Sequence, residues 1–141
     1  MLSIYLGSTG WANPEWKGIL YPPKAKSNEF LRYYSQQFDA IELNATHYQI
    51  PTEQQINNWK SAVFSHFRFC PKMPQKISQY QKLAPTQELE LFYNRLSLLK
   101  EKIGILFIQL PPEFSPAELP RLKNFFSCRS PVRMNCNGVS P

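Results

Sequence analysis

In residues 40–44 apolar and polar positions alternate strictly, with Ile41 and Leu43 on one side and Ala40, Glu42 and Asn44 on the other. That period of two predicts a β-strand. Three further short apolar runs, at 3–8, 67–71 and 104–110, predict strands, the last ending on Pro111-Pro112. Each run gives way to a loop and then to apolar residues at helical spacing. Phe30, Leu31, Tyr34 and Phe38 share one face of a helix starting near Ser27 or Asn28, and Ile56, Trp59 and Val63 line a second, capped by Thr52. Leu89, Phe92, Leu96 and Leu99 define a third over 86–100. A fourth spans 115–126, with Pro116 in its first turn, where the missing N–H costs nothing.

A β-then-α alternation repeated four times predicts an α/β fold with a parallel sheet. A complete eight-fold barrel takes roughly 250 residues, so four units correspond to half of a TIM-like barrel, truncated before strand five. The competing arrangement, an open doubly wound sheet, lacks the glycine-rich loop expected after its first strand. Past residue 126 neither period survives. The chain therefore divides into a half-barrel domain, 1–126, and an irregular tail, 127–141, expected to be disordered or out of frame.

At 141 residues, 43% hydrophobic, the chain can build one core. No apolar run approaches the ~20 residues of a membrane span, and the start lacks the basic and long apolar stretches of a secretion signal, so a cytoplasmic location without a membrane partner is expected. Cys70, Cys128 and Cys136 form neither an even set nor a CxxC pair. They read as reduced thiols, and neither a structural metal nor a cofactor is expected. The net charge of +6 tilts the partner toward anions.

In a parallel barrel, polar groups near strand C-terminal ends point into the mouth. Glu42 and Asn44 then face inward, as does Gln109. On the third strand Phe67, Phe69 and Pro71 oppose Arg68, Cys70 and Lys72, and either face is compatible with burial; Lys72 is taken to reach the mouth. Glu42 and Lys72 are the catalytic candidates, as acid/base and anion partner. The alternative is a buried ion pair of Glu42 with Arg68 or Lys72 that holds geometry without chemistry. The first loop interleaves Trp11, Trp16 and Tyr21 with Lys17, Lys24 and Lys26, and the third carries Lys72, Lys76, Tyr80 and Lys82. Such loops suit a base or sugar ring and phosphate, or else the tryptophans plug the barrel end and the lysines are solvated. His47, with Tyr48 beside it, lies at the mouth, but two histidines in the chain make a poor metal site.

Gly7-Ser8-Thr9-Gly10-Trp11, Trp16-Lys17-Gly18 with Tyr21-Pro22, Phe38-Asp39-Ala40-Ile41-Glu42-Leu43-Asn44 with Thr46 and Tyr48, Trp59, Phe67-Arg68-Phe69 with Lys72, and Leu106-Phe107-Ile108-Gln109-Leu110-Pro111-Pro112 stand in linked order. Together they resemble the N-terminal half of the domain of unknown function 72 (YecE-like) family. The resemblance implies a TIM-like barrel of unestablished activity and points to Glu42, Asn44, Tyr48, Lys72 and Gln109. His47 replaces a usual phenylalanine, Gln79 a frequent histidine, and the strand bearing Glu-Phe-Arg-His is missing, as an interrupted reading frame would leave it. The expected function is an uncharacterised barrel derived from an enzyme for a small anionic or sugar-like ligand and inactive in this form. Nucleic-acid binding through the mouth loops, with Trp11 and Trp16 stacking, is the second reading. Self-association through exposed sheet edges is the third.

Overall fold

The computed structural model of the chain describes residues 4–127. Ser3, Cys128, Cys136 and the expected tail beyond Ser127 lie outside the described residues. The fold is α/β. Three parallel strands, β1 (Gly7–Ser8), β2 (Ala40–Leu43) and β3 (Arg68–Pro71), pair in chain order, with Ala40 opposite Gly7 and Arg68, and Glu42 opposite Cys70. The helices are α1 (Phe30–Gln37), α2 (Ala45–Tyr48), α3 (Glu53–Ala62), α4 (Gln87–Ser97) and α5 (Leu119–Ser127).

Of the caps read from sequence, the one at Thr52 forms; α1 instead begins at Phe30 after a 3-10 turn over Ser27–Glu29, and neither Ser27 nor Asn28 makes a side-chain cap bond. The Thr52 hydroxyl accepts from the Gln55 N–H while the Thr52 N–H donates to Gln55 Oε1, and the Thr86 hydroxyl accepts from the Leu89 N–H. Before α5, the Ser115 N–H donates to the Glu118 carboxylate at the start of a 3-10 turn with Pro116 in it. The apolar stripes meet one face of the sheet. Tyr34 of α1, Ile56 of α3, and Phe92 and Leu96 of α4 bury Ile41, Leu43, Phe67 and Phe69 in a single cluster. Strand three's ambiguity is thereby resolved: its phenylalanines lie under helices, and Arg68, Cys70 and Lys72 occupy the opposite, half-exposed face.

Two expected strands come out differently. The first is paired only at Gly7–Ser8; residues 4–6 are exposed, although the Leu6 carbonyl accepts from the Asp39 and Ala40 N–H groups. Close approach explains why glycine begins it: a Cβ on Gly7 would lie 2.0 Å from the Ala40 carbonyl oxygen. The fourth run, 104–110, does not form a continuous strand. It docks on the far edge of β3 through two isolated parallel bridges, Ile103 with Phe69 and Phe107 with Lys72. The run advances one residue more than β3 between these bridges, a bulge-like offset that interrupts the ladder and reverses the alternation. Leu106, Ile108 and Leu110 consequently pack on the core, and Ile105, Phe107 and Gln109 are exposed.

Short elements that carry no readable period were missed. α2 follows β2 at once, and a π-helical turn, Lys76–Tyr80, interrupts the loop after β3. No helix among the described residues is long and apolar enough to cross a membrane.

Candidate functional site

Because parallel partners share a face, the register places Glu42 beside Cys70 on the side of the sheet away from the helices. Burial pushes the Cys70 thiol above its ordinary range; a hydrogen bond from the Ile105 backbone opposes this, and the Glu42 charge adds to the rise. Gly104 comes so close that a Cβ there would lie 2.8 Å from the Cys70 sulfur. Three successive segments thus converge on this thiol. Asn44 and Lys72 follow on the same face, half-exposed, and Gln109 is exposed on the docked run.

Glu42 and Lys72 are not in contact. Among the described residues neither makes an ion pair, with the other or with Arg68. Arg68 instead donates to the Ser65, His66 and Phe67 carbonyls at the opposite end of its strand. Among the described residues the face therefore presents a carboxylate and an ammonium without an ion-pair partner.

The exit of β3 is gripped by α2. The Thr46 hydroxyl lies 2.7 Å from both the Leu43 and the Lys72 carbonyl oxygens and accepts from the Lys72 N–H at 3.1 Å. One residue on, His47 Nδ1 is 2.8 Å from the Met73 carbonyl oxygen. A carbonyl only accepts, so this nitrogen carries the proton. His47 is thus a strap on the backbone. Tyr48 beside it is exposed.

The loop tryptophans are half-buried. Trp11 meets Trp59 edge-on at 5.9 Å, and Trp16 meets Tyr21 at 5.8 Å and stacks on Tyr34 at 6.4 Å. Tyr21 anchors this cluster by donating to the Trp11 carbonyl, and burial pushes its phenol up to about 12. Tyr34, fully buried, accepts from the Ser8 N–H at 2.6 Å and donates to the Ala40 carbonyl at 3.0 Å, tying α1 to β1 and β2. Lys17 lies 5.6 Å from the Phe30 ring centre. Among the described residues no three His, Cys, Asp or Glu side chains gather closely enough to hold a metal ion.

On the strand-exit side a groove of about 420 Å³ opens between α2, the π-helical turn and the start of α4. His47, Tyr48, Lys76, Tyr80 and Glu88 line it, with Lys76 and Glu88 ion-paired across the rim. Sequence reasoning found Lys76 and Tyr80 only as loop residues. It gave Thr46 and Cys70 no role at the site, since a hydroxyl or thiol acquires one only through neighbours distant in the chain.

Residues 5–136 match the family described as "Protein of unknown function DUF72". The chain is 33% identical over 123 residues to the UPF0759 protein YecE of Escherichia coli K12, covering 86% of this chain and 43% of that protein. To the UPF0759 protein YunF of Bacillus subtilis 168 it is 29% identical over 118 residues, covering 79% and 41%. It spans less than half the length of these relatives. The crystal structure of a DUF72 protein from Thermotoga maritima superposes with a TM-score of 0.70 at 26% identity, covering 87% of this chain and 51% of that one. A second, from Enterococcus faecalis, does so with a TM-score of 0.68 at 22% identity, covering 86% and 46%.

Proposed function

This chain belongs to the DUF72 family, and on that premise we propose that it is half of a TIM-like barrel whose mouth takes a small anionic or sugar-like substrate. In this reading Glu42 is the acid or base and Lys72 the partner of the anion. The observation that carries it is the polarity of one face: Glu42, Asn44 and Lys72 emerge near strand C-terminal ends, on the side that the helices leave uncovered. A doubly wound sheet reverses its strand order and carries helices on both faces. The first three strands of such a sheet are also neighbours in chain order, so the order β1-β2-β3 does not decide; a barrel carries its helices only outside, which agrees with the one-sided core. The two charges, without an ion-pair partner among the described residues, fit a ligand that supplies both a proton site and an anion. A cytoplasmic location goes with the same reading.

The test is ligand-detected NMR on this chain with sugar phosphates and small carboxylates. Saturable binding is expected, weakened ~10-fold by Lys72→Met through loss of a charge-assisted contact, with the melting temperature retained. Glu42→Gln is expected to alter the pH dependence of binding without unfolding the chain. No binding, or binding indifferent to both substitutions, would refute the reading. Preference for oligonucleotides with a steep fall in added salt would transfer the face to nucleic acid.

A further inference from the structure

We propose that the groove between α2 and the π-helical turn is a binding subsite for a neutral sugar ring. Three observations select that chemistry. First, His47 is only 7% exposed, and its Nδ1 is committed to the Met73 carbonyl. In the neutral ring Nε2 is then an acceptor with no protein donor among the described residues, and a sugar hydroxyl supplies one. Second, Tyr48 and Tyr80, from separate elements, line the groove while 81% and 73% exposed. Uncovered phenol rings of this kind offer apolar faces to the C–H side of a pyranose, with a polar tip left in water.

Third, the charges on the rim cancel. Lys76 and Glu88 pair with each other, and the hydrogen bond from Lys76 holds the Glu88 carboxyl below its ordinary range. The groove thus offers hydrogen bonds and ring faces without a free charge, which favours a neutral polyol ring over a phosphate. The π-helical turn supplies the geometry. It contributes Lys76 and Tyr80 to the lining, and such turns recur at functional sites. The proposal deepens the preceding reading and rests on its assignment of the strand-exit side as the binding side: Thr46, adjacent to His47, touches the Lys72 backbone.

Saturation-transfer NMR with neutral mono- and disaccharides, and separately with nucleosides, tests it on the chain as it exists. The expected result is saturable binding of a saccharide, with the strongest transfer to ring C–H protons. Tyr48→Ala and Tyr80→Ala, both at exposed positions, should each weaken it ~10-fold. His47→Asn keeps an amide donor for the Met73 carbonyl and removes the Nε2 acceptor, so it should weaken binding without lowering the melting temperature. If it unfolds the chain, the tyrosine variants decide. In the unsubstituted chain, binding of sugar phosphates or small carboxylates without neutral saccharides would be failure of the groove alone, and binding of neutral saccharides alone would be failure of the inner face. Absence of saturable saccharide binding, indifference to both tyrosine substitutions, or preference for nucleosides would overturn the proposal.

Discussion

At the scale of single residues, the face holding Glu42 is defined by a thiol as much as by the carboxylate. Cys70 is crowded by Gly104 and sits opposite Glu42 in the parallel register. Because burial first, and the neighbouring charge second, raise its thiol, the reactive thiolate is scarce at neutral pH. Alkylation by iodoacetamide, followed by peptide mapping, should therefore be slower at Cys70 than for a free cysteine. Glu42→Gln removes one cause of the rise and should speed it. Equal rates in the two proteins would show that the carboxylate does not act on the thiol. The sequence made Cys70 legible as a reduced thiol only, since the glycine that crowds it lies more than thirty positions further on.

At the scale of elements, periodicity recovered what repeats and lost what does not. The long helices were legible because their apolar spacing repeats, and at Thr52 capping chemistry agreed with it; the Thr86 cap was not read from the sequence. α2 has four residues, Ala-Thr-His-Tyr, too few to display a period, yet it fastens two strands. Thr46→Val should leave the Lys72 N–H and the neighbouring carbonyls without their hydroxyl and destabilise the chain by about 1–3 kcal/mol. Urea unfolding checks this, and a loss well below that range would mean that water replaces the hydroxyl. The short first strand and the offset fourth run were misread for one reason. Apolar content announces a strand, but backbone pairing decides how much of it joins the ladder.

For the whole molecule, both flanks of the sheet expose apolar side chains. Ile4, Tyr5 and Leu6 lie at one flank, Ile105 and Phe107 at the other, and among the described residues no further strand covers either. Exposed edges of this kind template association. Sedimentation of the 141-residue chain should reveal dimers or larger species, and Ile105→Lys combined with Phe107→Asp should shift it toward monomer. A single monomeric species with a cooperative thermal transition would contradict this.

The agreement between sheet order and chain order also bears on how the fold is reached. Among the described residues each strand pairs with the one synthesised just before it, across separations of ~30 residues, so these pairings need no long loop closure. A nascent chain leaving the ribosome can complete β1 with β2, then add β3, one helix-connected unit at a time. Directional synthesis thereby becomes a folding pathway, and apolar strands are covered nearly as fast as they emerge.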